Sequence, residues 1–307
     1  MKGKDIAWIL ATVLAAGLVV GWRYRDAHVP PQASAPQPRV IEAVEAGSVP
    51  VISDPKVERT NLADQYLQDA GEGVVVGING RERFYPFQIL AWHPAVNDTL
   101  AGTPILVSYG PLSGTVAVFE RRVRGAETTF AATGGLWNNA PVLSDATGSA
   151  WIAATGTAIS GPLKGERLRP LPSTVMRWSA WKGSRPNGEV LSRDTGFERD
   201  YTRDPYADAS GMAVWYPVDP KDARLPAKTS VVGVLAGGAA KAYPLESVRV
   251  VREIDDSIGG VGVRLAYDED LGTVSVEDAD GEPLPATMAY WFFWAATYPQ
   301  TQIFENP

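Results

Sequence analysis

The sequence predicts an α+β fold dominated by strands, in which two related β modules are each closed by a tryptophan-bearing helix. Three observations predict it. A short score is written twice: Tyr85-Pro86 recurs as Tyr243-Pro244, Asn97-Asp98-Thr99-Leu100-Ala101-Gly102 as Asp255-Asp256-Ser257-Ile258-Gly259-Gly260, Tyr109 as Tyr267, and Gly114-Thr115-Val116-Ala117-Val118 as Gly272-Thr273-Val274-Ser275-Val276, all 158 positions apart. Repetition at fixed register is the signature of a duplicated structural unit. The pattern Trp178-x-x-Trp181-x4-Pro186 also recurs as Trp291-x-x-Trp294-x4-Pro299, now 113 positions apart. Each tryptophan pair lies at i and i+3, on one helical face, and each helix is expected to end before its proline. Thirty glycines and 24 prolines in 307 residues favour many turns and short strands over long helices.

The first element is an apolar run. Residues 6–22 carry no charge and are bracketed by Lys2 and Lys4 before and Arg23 and Arg25 after. As a helix they would extend roughly 25 Å, close to the ~30 Å of a hydrocarbon core. Trp8 and Trp22 lie near the two ends, where an indole suits the interface. A cleaved signal peptide requires small residues soon after the apolar run. Here Trp22-Arg23-Tyr24-Arg25 follows, and the nearest Ala-x-Ala, Ala33-Ser34-Ala35, lies well beyond. Residues 1–25 are therefore expected to form an uncleaved signal-anchor, one N-terminal transmembrane helix. The short leading tail places the body on the extracytoplasmic (periplasmic) side of the cell membrane. Residues 26–58 form a Pro/Ala-rich linker, with Pro30, Pro31, Pro36 and Pro38, expected to run extended.

The repeat A module is expected over 59–192. It opens on Val74-Val75-Val76-Gly77-Ile78 and an Asn79-Gly80 turn, a strong two-residue hairpin signal. The partner strand then runs through Arg81 to Tyr85. Repeat B, over 229–307, opens in the same way, with Val231-Val232-Gly233-Val234-Leu235, a Gly237-Gly238 turn and a strand through Ala240 to Tyr243. One or two helical turns follow each Tyr-Pro. Strands are then expected at 104–109 and 261–267, and again at 115–122 and 273–277. After the tryptophan helices come short strands at 189–192 and 302–304. The fall in spacing from 158 to 113 assigns repeat A an insertion of about 45 residues, 128–172. Residues 193–228, polar and rich in turns, read as a structured connector.

Composition excludes several functions. A net charge of −7 gives no surplus of cations for nucleic-acid phosphates. The absence of cysteine removes disulfides, thiolate metal sites and thiol nucleophiles. Only two histidines exist, His28 in the linker and His93, too few for a zinc site of nitrogen and sulfur donors. No metal and no cofactor is expected. The sequence Asp278-Ala279-Asp280-Gly281-Glu282 reads as an Asp-Gly hairpin turn rather than a calcium loop.

His93 is the best single titratable candidate, because a histidine is the usual general base near neutral pH and its match in repeat B is Val251. A catalytic set can be drawn from His93, Ser113, Asp145 and Ser149, with Asn139, Asp98 and Trp151 as ligand-binding candidates. No G-x-S-x-G elbow supports it. A satisfied structural histidine is the competing reading, and a buried His93 with internal partners decides for it.

The residues Tyr85-Pro86, His93, Asn97-Asp98 and Gly102 resemble the domain of unknown function 3179 family. So do Pro111-Leu112-x-Gly114-Thr115, Asp145-x-Thr147-x-Ser149-x-Trp151, Gly161-Pro162-Leu163-x-Gly165 and Trp294-x4-Pro299. The resemblance covers roughly 60–305. It implies an exported or membrane-anchored protein, and it implies no established activity. Family members are expected to carry Cys-Pro-Leu-Cys-Gly-Thr where this chain has Gly110-Pro111-Leu112-Ser113-Gly114-Thr115. Any metal or redox chemistry of that cysteine pair is then absent here. The expected function is a membrane-tethered, extracytoplasmic, non-enzymatic protein that binds a protein partner or serves as an accessory subunit of a membrane complex. The alternative is an enzyme or small-ligand-binding protein with its site around His93 and the insertion.

Overall fold

The computed structural model describes residues 40–207, 211 and 213–306. The two repeats share one plan. In repeat A, strands Glu72–Ile78 and Arg81–Pro86 form a hairpin. Strand Ser173–Arg177 flanks it antiparallel, and strand Glu189–Leu191 lies parallel on its other side, after the tryptophan helix Trp178–Ser184. In repeat B the hairpin Ser230–Ala236 and Ala239–Pro244 is flanked by Ala286–Tyr290 and, after helix Trp291–Thr297, by Gln302–Ile303, with the same orientations. The turn at Asn79-Gly80 has φ of 48° and 76°, and the one at Gly237-Gly238 has 54° and 78°. Positive φ at both central residues matches the twist of a two-residue hairpin.

Each hairpin leads through a short helix, Phe87–Leu90 or Leu245–Val251, into a three-strand meander. The meanders are Ala95–Leu100, Thr103–Gly110, Thr115–Glu120 in repeat A and Glu253–Ile258, Val261–Asp268, Thr273–Asp278 in repeat B. The sequence predicts no strand at the start of either meander, because Asn and Asp, as in Asn97-Asp98 and Asp255-Asp256, are depleted in strands. The repeats meet reciprocally. The last meander strand of repeat A pairs with the closing strand of repeat B at Val116 and Met288. Strand Thr273–Asp278 packs in turn beside Ser173–Arg177. At the first of these contacts the Tyr290 N–H donates to the Ser113 carbonyl at 2.8 Å, and a Cβ at Gly114 would come within 2.8 Å of the Tyr290 ring.

The insertion forms its own antiparallel sheet of Phe130–Trp137, Ala140–Asp145, Ala150–Ile152 and Thr157–Ser160. Residues 41–58, read from the sequence as the end of the linker, lie against the body instead, together with Arg59. Ile41 and Glu42 pair with Leu136 and Gly135, Ile52 and Ser53 with Val96 and Asn97, and strand Val57–Arg59 with Glu189–Leu191. The apolar residues of this arm supply the reason, since Ile52 is buried in the repeat A core. The connector carries neither α-helix nor β-strand among its described residues.

One expectation about fold class needs correction. No helix among the described residues is long and apolar enough to cross a membrane. The longest helices among the described residues have seven residues, about 10 Å at 1.5 Å per residue. The segment expected to span, residues 1–25, lies outside the described residues. The described fold is α+β and strand-dominated, with no spanning helix.

The closing helices are core elements. Trp178, Trp181, Trp291 and Trp294 are all buried. The Trp294 ring lies on Gly233 so closely that a Cβ there would overlap it, and its indole N–H donates to Thr301 Oγ1 at 2.8 Å.

Candidate functional site

The recurring score builds a polar triad in each repeat. In repeat A, Arg83 on the second hairpin strand donates to Asp98 Oδ2 at 2.5 Å, and the Tyr85 hydroxyl donates to the same oxygen at 2.6 Å. Alternation along the strand puts Arg83 and Tyr85 on one face, toward the first meander strand that carries Asp98. The other Asp98 oxygen accepts the Thr99 N–H. In repeat B, Lys241, Tyr243 and Asp256 repeat this arrangement, with Lys241 Nζ at 2.6 Å and the Tyr243 hydroxyl at 2.8 Å from Asp256 Oδ2, and the Ser257 N–H on Oδ1. Burial and the neighbouring Asp98 carboxylate hold the Tyr85 hydroxyl well above the usual phenol range. Burial pushes the Asp256 carboxyl up, but the bonds from Lys241, Ser257 and Tyr243 outweigh it and hold the group low. Asp98 is thus placed in a triad that clamps hairpin to meander.

His93 follows helix Phe87–Leu90 and has no exposed surface. Its Nδ1 lies 2.8 Å from the Pro50 carbonyl and its Nε2 lies 2.7 Å from the Tyr201 hydroxyl, which in turn bonds Thr195 Oγ1 at 2.6 Å. A neutral ring with its proton on Nδ1 donates to Pro50 and accepts from Tyr201. The rings of Phe197 and Tyr201 lie beside it. Desolvation holds its pKa below the ordinary value despite the Pro50 carbonyl. The ring therefore ties the N-terminal arm and the connector to repeat A.

Ser113 is fully buried in the turn after strand Thr103–Gly110, its Oγ bonded to the Gly110 carbonyl and to Thr115 Oγ1. A Cβ at Gly110 would come within 2.6 Å of Thr115 Oγ1 and 2.7 Å of Ser113 Oγ. Side chains at 110 and 113 therefore point at one another, in a space that Ser113 and Thr115 now fill.

Asp145 and Ser149 belong to a loop at the end of an insertion strand. Asp145 Oδ1 accepts from the Thr147 N–H, the Thr147 hydroxyl and the Ser149 N–H, and Oδ2 accepts from the Trp151 indole at 2.8 Å. Burial raises the carboxyl, and these bonds from Thr147, Trp151 and Ser149 bring it below the ordinary range. Ser149 Oγ accepts the Leu163 N–H at 2.9 Å. The spacing Asp-x-Thr-x-Ser-x-Trp is that of one self-satisfied turn. Asn138 and Asn139, with φ of 45° and 69°, make the turn between the first two insertion strands. Each side-chain amide mimics a backbone pair: Asn139 bonds the N–H and C=O of Tyr216, and Asn138 those of Asp219. The connector is thereby pinned to the insertion.

The candidates fall into separate places. Asp145, Ser149 and Trp151 meet in one loop, while His93, Ser113, Asn139 and Asp98 are each engaged elsewhere. Among the described residues no group of three or more His, Asp or Glu side chains is positioned to hold a metal ion. The sequence reading missed an open groove of about 910 Å³ lined by connector residues 214–218 and 221–227 and by Phe292. None of the candidates lines it. Trp215 stands at this groove 45% exposed. The signal in the sequence was the run Val214-Trp215-Tyr216-Pro217-Val218 inside an otherwise polar connector.

The family model described as protein of unknown function (DUF3179) matches residues 46–301. The chain belongs to this family. The match runs through repeat A, the insertion and the connector and into repeat B as far as Thr301. No curated protein and no solved structure matches the chain.

Proposed function

We propose that this chain is a non-enzymatic, membrane-tethered protein of the extracytoplasmic (periplasmic) face that binds a protein partner, as an accessory subunit of a membrane complex. The observation that carries the reading is the state of His93. A general base needs a ring nitrogen within reach of a substrate proton, and both nitrogens of His93 are engaged inside the protein on a ring with no exposed surface. Ser113, Asp145 and Ser149 are likewise consumed by internal hydrogen bonds. The tether rests on the uncharged run at 6–22 and the linker behind it. The groove at Trp215 supports partner binding, because it is open, lined mainly by apolar residues beside Lys221, Asp222 and Arg224, and carries an exposed tryptophan, a residue type enriched at binding hot spots.

The test is affinity purification of the tagged full-length chain from its native membranes, beside the Trp215→Ala variant. One stoichiometric partner retained by the wild type and depleted with the variant is the expected result. A chain that purifies alone, or with the same companions in both forms, would overturn the reading.

A further inference from the structure

The groove has a neighbour that identifies what fits it. Strand Ile41–Glu42 runs antiparallel to Phe130–Trp137, with Ile41 opposite Leu136 and Glu42 opposite Gly135. Continued by one residue, this register puts Val40 opposite Trp137, next to the Asn138-Asn139 turn. That turn holds the connector at Tyr216 and Asp219, and Tyr216 lines the groove. Val40, the first described residue, therefore stands beside the turn that holds the groove's connector. Val40 is itself more than a third exposed there.

The chemistry of the two parts agrees. The segment holds Pro30, Pro31, Pro36 and Pro38. Proline-rich chain favours an extended left-handed form without internal hydrogen bonds, which leaves its carbonyls free and spans about 28 Å over nine residues. Such segments dock in grooves lined by aromatic rings. This groove presents Trp215, Tyr216 and Phe292, with Pro217, Val218 and Leu225 between them. Trp137 belongs to the same apolar cluster as Phe292, Val218 and Leu225, and its indole N–H is buried without an acceptor. Attachment a few residues away also raises the local concentration of the segment to roughly the millimolar range.

We propose that the groove formed by residues 214–227 over Phe292 is a receptor for an extended, proline-rich segment, and that residues 30–38 of this same chain occupy it. The proposal rests on the groove being a binding surface, as in the function proposed above, and adds the class of ligand. A protein partner that uses the groove must then displace residues 30–38 or present a similar segment.

The test uses the full-length chain with a photoreactive benzoylphenylalanine in place of Gln32. After irradiation, peptide mapping is expected to show links within one chain to residues 214–227. Yield should fall about tenfold in Trp215→Ala, the loss expected for truncating a central hot-spot tryptophan, and similarly when all four prolines become alanine. An unchanged melting temperature in both variants excludes unfolding as the cause. Links to another surface, links only between two chains, or a yield indifferent to both variants would overturn the proposal. If links fail while partner capture still depends on Trp215, the inference falls and the function stands. If neither depends on Trp215, both fall.

Discussion

Repeat A and repeat B are built on the same plan and have been put to different uses. Both keep a cation, a tyrosine and an aspartate where the second hairpin strand meets the first meander strand. In repeat A the ion pair is nearly dry, with side chains 7% and 5% exposed, whereas in repeat B the pair is 14% and 18% exposed. What is duplicated therefore serves the scaffold. What is unique to repeat A attaches added chain. His93, opposite Val251 in the duplication, brackets the N-terminal arm and the connector, and Asn138 and Asn139 hold the connector to the insertion. Polar residues that resemble an active site in the sequence are the fasteners of those additions.

The comparison breaks most sharply at the closing helices and the triads. Trp294→Ala, a fully buried truncation, should cost about 3–5 kcal/mol, and a loss near that of a surface change would contradict the core assignment of the helix. Asp98→Ala leaves the buried Tyr85 hydroxyl without its acceptor and Arg83 with Glu189 as its one remaining ion-pair partner, and should cost about 2–3 kcal/mol in chemical denaturation. Asp256→Ala, at the wetter pair, should cost clearly less, and equal losses would remove the distinction in burial.

His93 sharpens the comparison through pH. Its folded pKa is depressed by burial, so the unfolded chain takes the proton first. Its contribution is fully present above the unfolded value near 6.5 and is lost as pH falls from there through the lower folded value, at up to about 1.4 kcal/mol per pH unit. His93→Gln, which retains a donor and an acceptor, should flatten that part of the stability curve; an unchanged slope would show that His93 is not its source. The smallest effect is expected at Asn139→Ala. Loss of two bonds to Tyr216 should cost about 1–2 kcal/mol and raise proteolytic cleavage within 214–227 before the rest of the body is attacked.

Much of the architecture was legible because duplication repeats its own punctuation. Asn79-Gly80 and Gly237-Gly238 marked the hairpins, and the paired tryptophans marked the closing helices. The first meander strands were hidden because Asp98 and Asp256, turn formers by type, sit within strands as acceptors for a cation and a tyrosine of the facing hairpin. The attachment of residues 41–59 was hidden for a related reason: strands of two or three residues are specified by the edges they meet and carry no periodicity of their own. At the candidate site, residue type pointed to titratable groups, while their partners, the Pro50 carbonyl and the Tyr201 hydroxyl, lie 43 and 108 positions away. Only the fold brings them together.

The central claim is that the one histidine of the body belongs to the scaffold, and the chain's two histidines make this directly measurable. Imidazole nitrogen shifts of the full-length protein, followed from pH 8 downward with His28→Gln as the assignment control, would report His93 alone. The account predicts a neutral ring with its proton on Nδ1, unmoved through the ordinary histidine range and until the protein itself begins to unfold. A ring that titrates freely near the ordinary value in the folded protein would contradict it and return His93 to consideration as a catalytic base.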